Sequence, residues 1–137
     1  MLERKELNYE RIQKATFFIS RRTRNSSTLT NREHYRTCLS RSYYSVYYAT
    51  QALLLSQNLD ASTHKATIRL FGQHFVKTGQ FSSEWAKILS NAYELRQLSD
   101  YDADFTGTFA EAKMSLEQAK ALVAEVGQSL SVQLNTQ

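Results

Sequence analysis

The sequence predicts an all-α protein, an antiparallel up-and-down bundle of about five helices in a single domain over residues 1–137. Three observations carry this prediction. Proline is absent from the 137 residues, where an average usage of about 5% would place roughly seven. Glycine occurs four times, and Gly79 and Gly107 fall where the hydrophobic pattern also breaks, which leaves few turns for a sheet. Apolar residues recur at helical spacing, and no stretch alternates as a strand would.

Each element follows from that periodicity. Leu7, Ile12, Ala15, Phe18 and Ile19 predict an amphipathic first helix over about residues 4–23, basic on its outer face. Residues 25–31 (NSSTLTN) read as a loop that offers Thr30 or Asn31 as an N-cap. From Asn31 to Asn58 nothing interrupts a second helix, roughly 40 Å long, whose apolar face runs through Leu39, Tyr43, Val46, Tyr47, Leu53 and Leu54. Tyr43, Tyr44, Tyr47 and Tyr48 lie there on two adjacent rows, a pattern that suits a core or a subunit interface and, in a competing reading, a platform for stacking bases. A third helix over residues 64–77 presents Ile68, Phe71, Phe75 and Val76 and stops at Gly79. A fourth, capped by Ser82 or Ser83, carries Trp85, Ile88, Leu89, Ala92, Tyr93 and Leu95 and frays near Leu98. Thr108 and Glu111 form a capping box for a last helix from Phe109 to about Val126, with the residues from Gly127 onward expected to fray.

Composition narrows the functional classes. No apolar run approaches the roughly 18 residues of a membrane span, and residues 1–9 are charged where a signal peptide would be apolar, so a soluble, cytoplasmic protein without a membrane partner is expected. Cys38 is the single cysteine, which removes an internal disulfide and suits a reducing compartment. The net charge of +4 is uneven: residues 1–41 hold ten Lys/Arg against four Glu, and the remainder seven against nine acids. Such a basic pole either attracts polyanions or simply solvates a helix face. Phosphate-binding glycine loops, HExxH, CxxC and GxSxG are all missing. His34, His64 and His74 have no metal-ligand spacing among them, so neither a metal site nor a cofactor is expected.

The most distinctive segment is residues 94–104 (ELRQLSDYDAD), where a guanidinium near a helix end precedes a tyrosine between carboxylates. Two readings compete. Arg96 can pair with Asp100 or Asp102 and complement the helix dipole, fixing the turn before the last helix. Alternatively it holds a phosphate in a dimer cleft with Tyr101 exposed beside it.

With residues 40–49 (SRSYYSVYYA), 52–56 (ALLLS), 70–79 (LFGQHFVKTG) and 94–102 (ELRQLSDYD) standing in this order, the chain resembles the HEPN domain family of small prokaryotic helical proteins, in the branch that ends its fourth helix in R-x3-D-Y-D. The resemblance spans roughly residues 36–105. It implies a five-helix bundle that dimerises through its long helices, with two copies of Arg96 approaching one groove and Arg41 as a further nucleic-acid-binding cation. Many relatives are toxin halves of two-gene modules whose other half is a minimal nucleotidyltransferase antitoxin. Active relatives are metal-independent ribonucleases with an R-x4-6-H motif, in which Arg stabilises the charge on phosphorus and His moves the proton of the ribose 2′-hydroxyl. In some, a tyrosine after that histidine is adenylylated by the partner.

The chain departs from that pattern after Arg96. Tyr101 and Asp102 occupy the positions of the histidine, and no histidine follows His74. Arg69 and His74 match R-x4-H formally, on a helix whose Phe71 and Phe75 suggest packing. The expected catalytic set is therefore Arg96, Asp100, Tyr101 and Asp102, acting on RNA such as tRNA. The alternative is a non-catalytic binding module or scaffold that partners the nucleotidyltransferase and is adenylylated on Tyr101.

Overall fold

The computed structural model describes residues 31–102, 104–105 and 107–135, together with Glu6, Glu10, Arg11 and Gln13. Among the described residues the chain is all helical and has no strand. Its elements are α1 (Asn31–Leu55), α2 (His64–Phe71) continued by a π-helical turn at Gly72–Val76, α3 (Ser83–Tyr101) and α4 (Phe109–Asn135). The helix expected over residues 4–23 lies outside the described residues apart from the four just named, which are helical. One of them, Arg11, donates to the side-chain oxygen of Gln51 on α1. No helix among the described residues is long and apolar enough to cross a membrane.

Helix α1 is the spine, packing against α4, α3 and α2. Its residues Val46, Ala49, Leu53 and Leu54 are buried together with Phe71 and Phe75 at the end of α2, Leu89 of α3, and Leu122 and Val126 of α4. Phe71, Phe75 and Phe81 close one end of this core, their ring centroids 5.5 to 6.0 Å apart.

Local chemistry sets the boundaries. Helix α1 stops at Leu55 rather than Asn58 because Asn58 adopts a left-handed backbone (φ 64°), a conformation that asparagine tolerates better than most residues. The amides of Asn58 and Leu59 then return to the carbonyls of Leu55 and Leu54, a Schellman arrangement that satisfies the helix end. Thr63 caps α2 by accepting from the Ala66 amide, and Ser82 caps α3 by accepting from Glu84. The expected α2 helix over 64–77 is α-helical only to Phe71. Beyond it the Lys77 amide bonds to the Gly72 carbonyl in the wider π spacing, and Gly79 (φ 83°) ends the segment. The capping box of α4 forms as expected: the Glu111 amide donates to Thr108 Oγ1 at 3.1 Å and the Thr108 amide to Glu111 Oε1 at 3.2 Å.

Two further helix ends differ from expectation. Helix α3 continues through Leu98 to Tyr101, its last backbone bond running from the Asp102 amide to the Leu98 carbonyl. Helix α4 does not fray at Gly127 but runs to Asn135, because Leu122, Val126 and Leu130 form one buried stripe on either side of the glycine. Burial of that stripe outweighs the modest helix penalty of one glycine, about 1 kcal/mol.

Candidate functional site

The C-terminal half of α3 lies against the tyrosine segment of α1, and the two meet around Arg96. Its Nη2 donates to the Tyr44 hydroxyl at 2.9 Å, and its Nε lies 2.9 Å from Asp100 Oδ2, one helical turn on. The buried Nε makes no directed hydrogen bond, so the contact with Asp100 is an ion pair by proximity. The guanidinium carbon also sits 5.4 Å from the ring centroid of Tyr44 and 5.9 Å from those of Tyr43 and Tyr101, within the range of cation–π attraction. Arg96 is thus a largely covered cation, its side chain 14% exposed, fixed by one acid and surrounded by tyrosines.

The other residues expected at the site divide. Asp100 pairs with Arg96, whereas Asp102 does not. The Asp102 carboxylate accepts from the Asp104 amide at 3.0 Å, and its carbonyl accepts from Arg36 Nη2 at 3.1 Å. Arg36 also reaches the Phe105 carbonyl, so this arginine of α1, not singled out in the sequence, fastens the acidic loop to the bundle. Tyr101 ends α3 and is 74% exposed. Arg41 is half-buried and lies one turn before Tyr44 on the same face of α1. Arg69 is exposed, and His74 lies in the π turn, where its carbonyl accepts from Thr78.

The tyrosine segment is both core and site. Tyr43 is fully buried and Tyr44, Tyr47 and Tyr48 are half-buried; the rings of Tyr43 and Tyr44 meet α3 at Tyr93 and Arg96, and that of Tyr47 meets His64 of α2. Gln51 donates to the Tyr47 hydroxyl at 2.6 Å, and Gln97 to that of Tyr93 at 2.7 Å.

One residue the sequence did not place here is His64, the first residue of α2. Its ring lies 4.5 Å from that of Tyr47, 5.4 Å from Tyr43 and 5.6 Å from Tyr93, and its Nδ1 is hydrogen-bonded to the Tyr43 hydroxyl. Burial, reinforced by the charge of Arg96, holds the imidazole below its ordinary pKa of 6.5, so it is neutral at pH 7. Burial also lifts the Tyr43 phenol far above its usual range, which keeps its proton in place. A cation, a neutral imidazole and five phenols therefore converge where α1, α2 and α3 meet. The available signal was weak, since only a fold brings His64 beside residues from two other helices. Among the described residues no three His, Cys, Asp or Glu side chains gather as a metal site would require.

Comparison with known proteins agrees with this architecture. A family model described as "HEPN domain" matches residues 10–129. The chain is 32% identical over 82% of its length, and 78% of the relative's, to a Methanocaldococcus jannaschii protein named "Putative toxin MJ0142". It is 32% identical over 70% of its length, and 71% of the relative's, to another from the same organism named "Putative toxin MJ0605". With a Gloeobacter violaceus protein named "UPF0332 protein glr0978" the identity is 35% over 69% of this chain and 70% of that one. A family match over most of the sequence, joined to an all-helical bundle, establishes that the chain belongs to the HEPN domain family.

Proposed function

We propose that this protein is the toxin-type component of a two-gene toxin–antitoxin module, a cytoplasmic homodimer that binds RNA, tRNA included, or a nucleotide phosphate at Arg96. The partner in this reading is a minimal nucleotidyltransferase, and the activity is that of a metal-independent ribonuclease. The membership in the HEPN family and the two relatives named as toxins support the class. The observation that carries the site is the state of Arg96. Asp100 and Tyr44 hold Nε and Nη2, three tyrosine rings cover the guanidinium, and among the described residues no protein group engages Nη1. A cation oriented in advance and shielded from bulk water attracts a phosphate more strongly than a free surface arginine does. Arg41, one turn from Tyr44, extends the basic surface along α1.

Binding of labelled total tRNA at low and moderate salt, by the wild type and by Arg96→Ala, tests this. Wild-type affinity should fall as salt rises, and the variant should bind about tenfold more weakly at low salt. Equal binding by the two proteins overturns the assignment.

The exposure of Tyr101 favours a second reading, in which its hydroxyl attacks the α-phosphate of ATP on the partner enzyme and carries AMP while pyrophosphate leaves. Mass spectrometry after incubation with the nucleotidyltransferase and ATP should show AMP on the wild type and none on Tyr101→Phe. AMP persisting on the variant excludes this tyrosine.

A further inference from the structure

The geometry points to His64 as the proton-transferring residue of the Arg96 site, a catalytic imidazole supplied by a different helix from the one that carries the arginine. This rests on reading Arg96 as the phosphate site. Three observations combine. First, His64 and Arg96 both approach the same buried ring: the imidazole centroid lies 5.4 Å and the guanidinium carbon 5.9 Å from the centroid of Tyr43. Second, one ring nitrogen is already committed, since Nδ1 is bonded to the Tyr43 hydroxyl, and a buried phenol on one nitrogen fixes the direction of the other. Third, neither His34 nor His74 contacts the cluster among the described residues, which leaves His64 as the histidine within reach of Arg96. The half-buried His64 is not sealed into the core as Tyr43 is.

The chemistry is that of the tautomer in which the phenolic oxygen accepts from Nδ1–H, which leaves the lone pair of Nε2 as the base. Nε2 takes the proton of a ribose 2′-hydroxyl as its oxygen bonds to the adjacent phosphorus. The bond from phosphorus to the 5′-oxygen of the next nucleotide breaks, and the imidazolium returns its proton to that departing oxygen. The products are a 2′,3′-cyclic phosphate and a free 5′-hydroxyl, and the protein ends unchanged. Arg96 balances the charge on the non-bridging oxygens throughout. Tyr43 orients the imidazole and does not itself transfer a proton.

His64→Asn separates this role from packing. The asparagine amide reproduces the position of Nδ1, and so the bond to Tyr43, but has nothing in place of Nε2. With a single-stranded RNA oligonucleotide, wild type, His64→Asn, Arg96→Ala and a His74→Gln control are compared for binding, cleavage and thermal melting. The expected result is wild-type and His74→Gln cleavage to a 2′,3′-cyclic phosphate. His64→Asn should bind as the wild type does and cleave about a hundredfold or more slowly. The wild-type rate should rise with pH along an acid limb below pH 6.5 that the residual activity of His64→Asn lacks. The titratable and charged groups facing the imidazole are Tyr43 and Tyr47 from α1 and Tyr93 and Arg96 from α3. If His64→Asn fails to melt as a folded protein, His64→Gln takes its place, and free imidazole restoring cleavage to His64→Gly supplies an independent reading. Cleavage by His64→Asn within twofold of wild type overturns the inference and leaves the Arg96 site standing. So does Arg96-dependent binding with no wild-type cleavage between pH 5 and 9. Loss of Arg96-dependent binding itself removes both.

Discussion

Arg96 Nη2 donates to the Tyr44 hydroxyl at 2.9 Å, which ties the last turns of α3 to the middle of α1 by a bond that a helix–helix seam built from apolar residues would not contain. The hydroxyl accepts from a charged group in a partly covered position, where such bonds are stronger than neutral ones. Tyr44→Phe keeps the ring under the guanidinium and removes only that acceptor. It should lower unfolding stability by about 1 to 2 kcal/mol, read from urea titrations at pH 7. An unchanged midpoint would mean that the ring contact alone secures Arg96.

If Arg96 holds a phosphate as proposed, Asp100 competes with that phosphate for the same guanidinium. The pair is one helical turn apart and partly open to solvent, so its own contribution to stability is small, below about 1 kcal/mol. Asp100→Asn should therefore fold nearly as well as the wild type and bind RNA more tightly, by up to roughly fivefold if the whole pair energy is released to the ligand. Direct binding measurements at low salt decide it, and weaker binding would make Asp100 a support for the arginine instead of its competitor.

Arg96 with Asp100 was legible in the sequence because both lie on one helix, and i,i+4 spacing fixes their neighbourhood without knowledge of the fold. Tyr44 and His64 were not legible as their partners. Each comes from another helix, and a tyrosine run looks the same whether its hydroxyls meet solvent, an imidazole or a guanidinium. Asp102, adjacent in sequence, was grouped with the site, yet it serves the loop: whether a carboxylate faces back along its helix or forward into a turn depends on where the helix stops. The helices themselves were legible from periodicity and caps, as Thr108 with Glu111 illustrates. Their ends were less so wherever tertiary burial competed with propensity, as at Gly127.

That competition can be measured at Leu130, which is 4% exposed and lies beyond the glycine. If the last turns of α4 were frayed, truncating this side chain would change nothing. In the continuous helix it removes a buried isobutyl group from the stripe formed with Leu122 and Val126. Leu130→Ala should cost about 2 to 4 kcal/mol, seen as a lower urea midpoint with an unchanged slope. A cost below about 0.5 kcal/mol would return the segment to the frayed description.

The neutral state of His64 makes stability depend on pH in a definite direction. The unfolded chain takes up a proton on this imidazole near its ordinary pKa of 6.5, whereas the folded protein, with the ring covered and Arg96 nearby, takes it up only at lower pH. Between those two values the unfolded state binds more protons, so unfolding becomes easier as pH falls, and above about 6.5 the term is constant. The wild type and His64→Asn share every carboxylate, so the difference between them isolates the imidazole. The stability difference between the two proteins should consequently be largest at pH 7.5, shrink as pH drops through 6, and level off once the folded wild type is protonated as well. Urea midpoints at half-unit pH steps measure that difference. A gap that stays constant from pH 7.5 to 5 would mean that the imidazole keeps an ordinary pKa and that the tyrosine cage does not exclude its charged form.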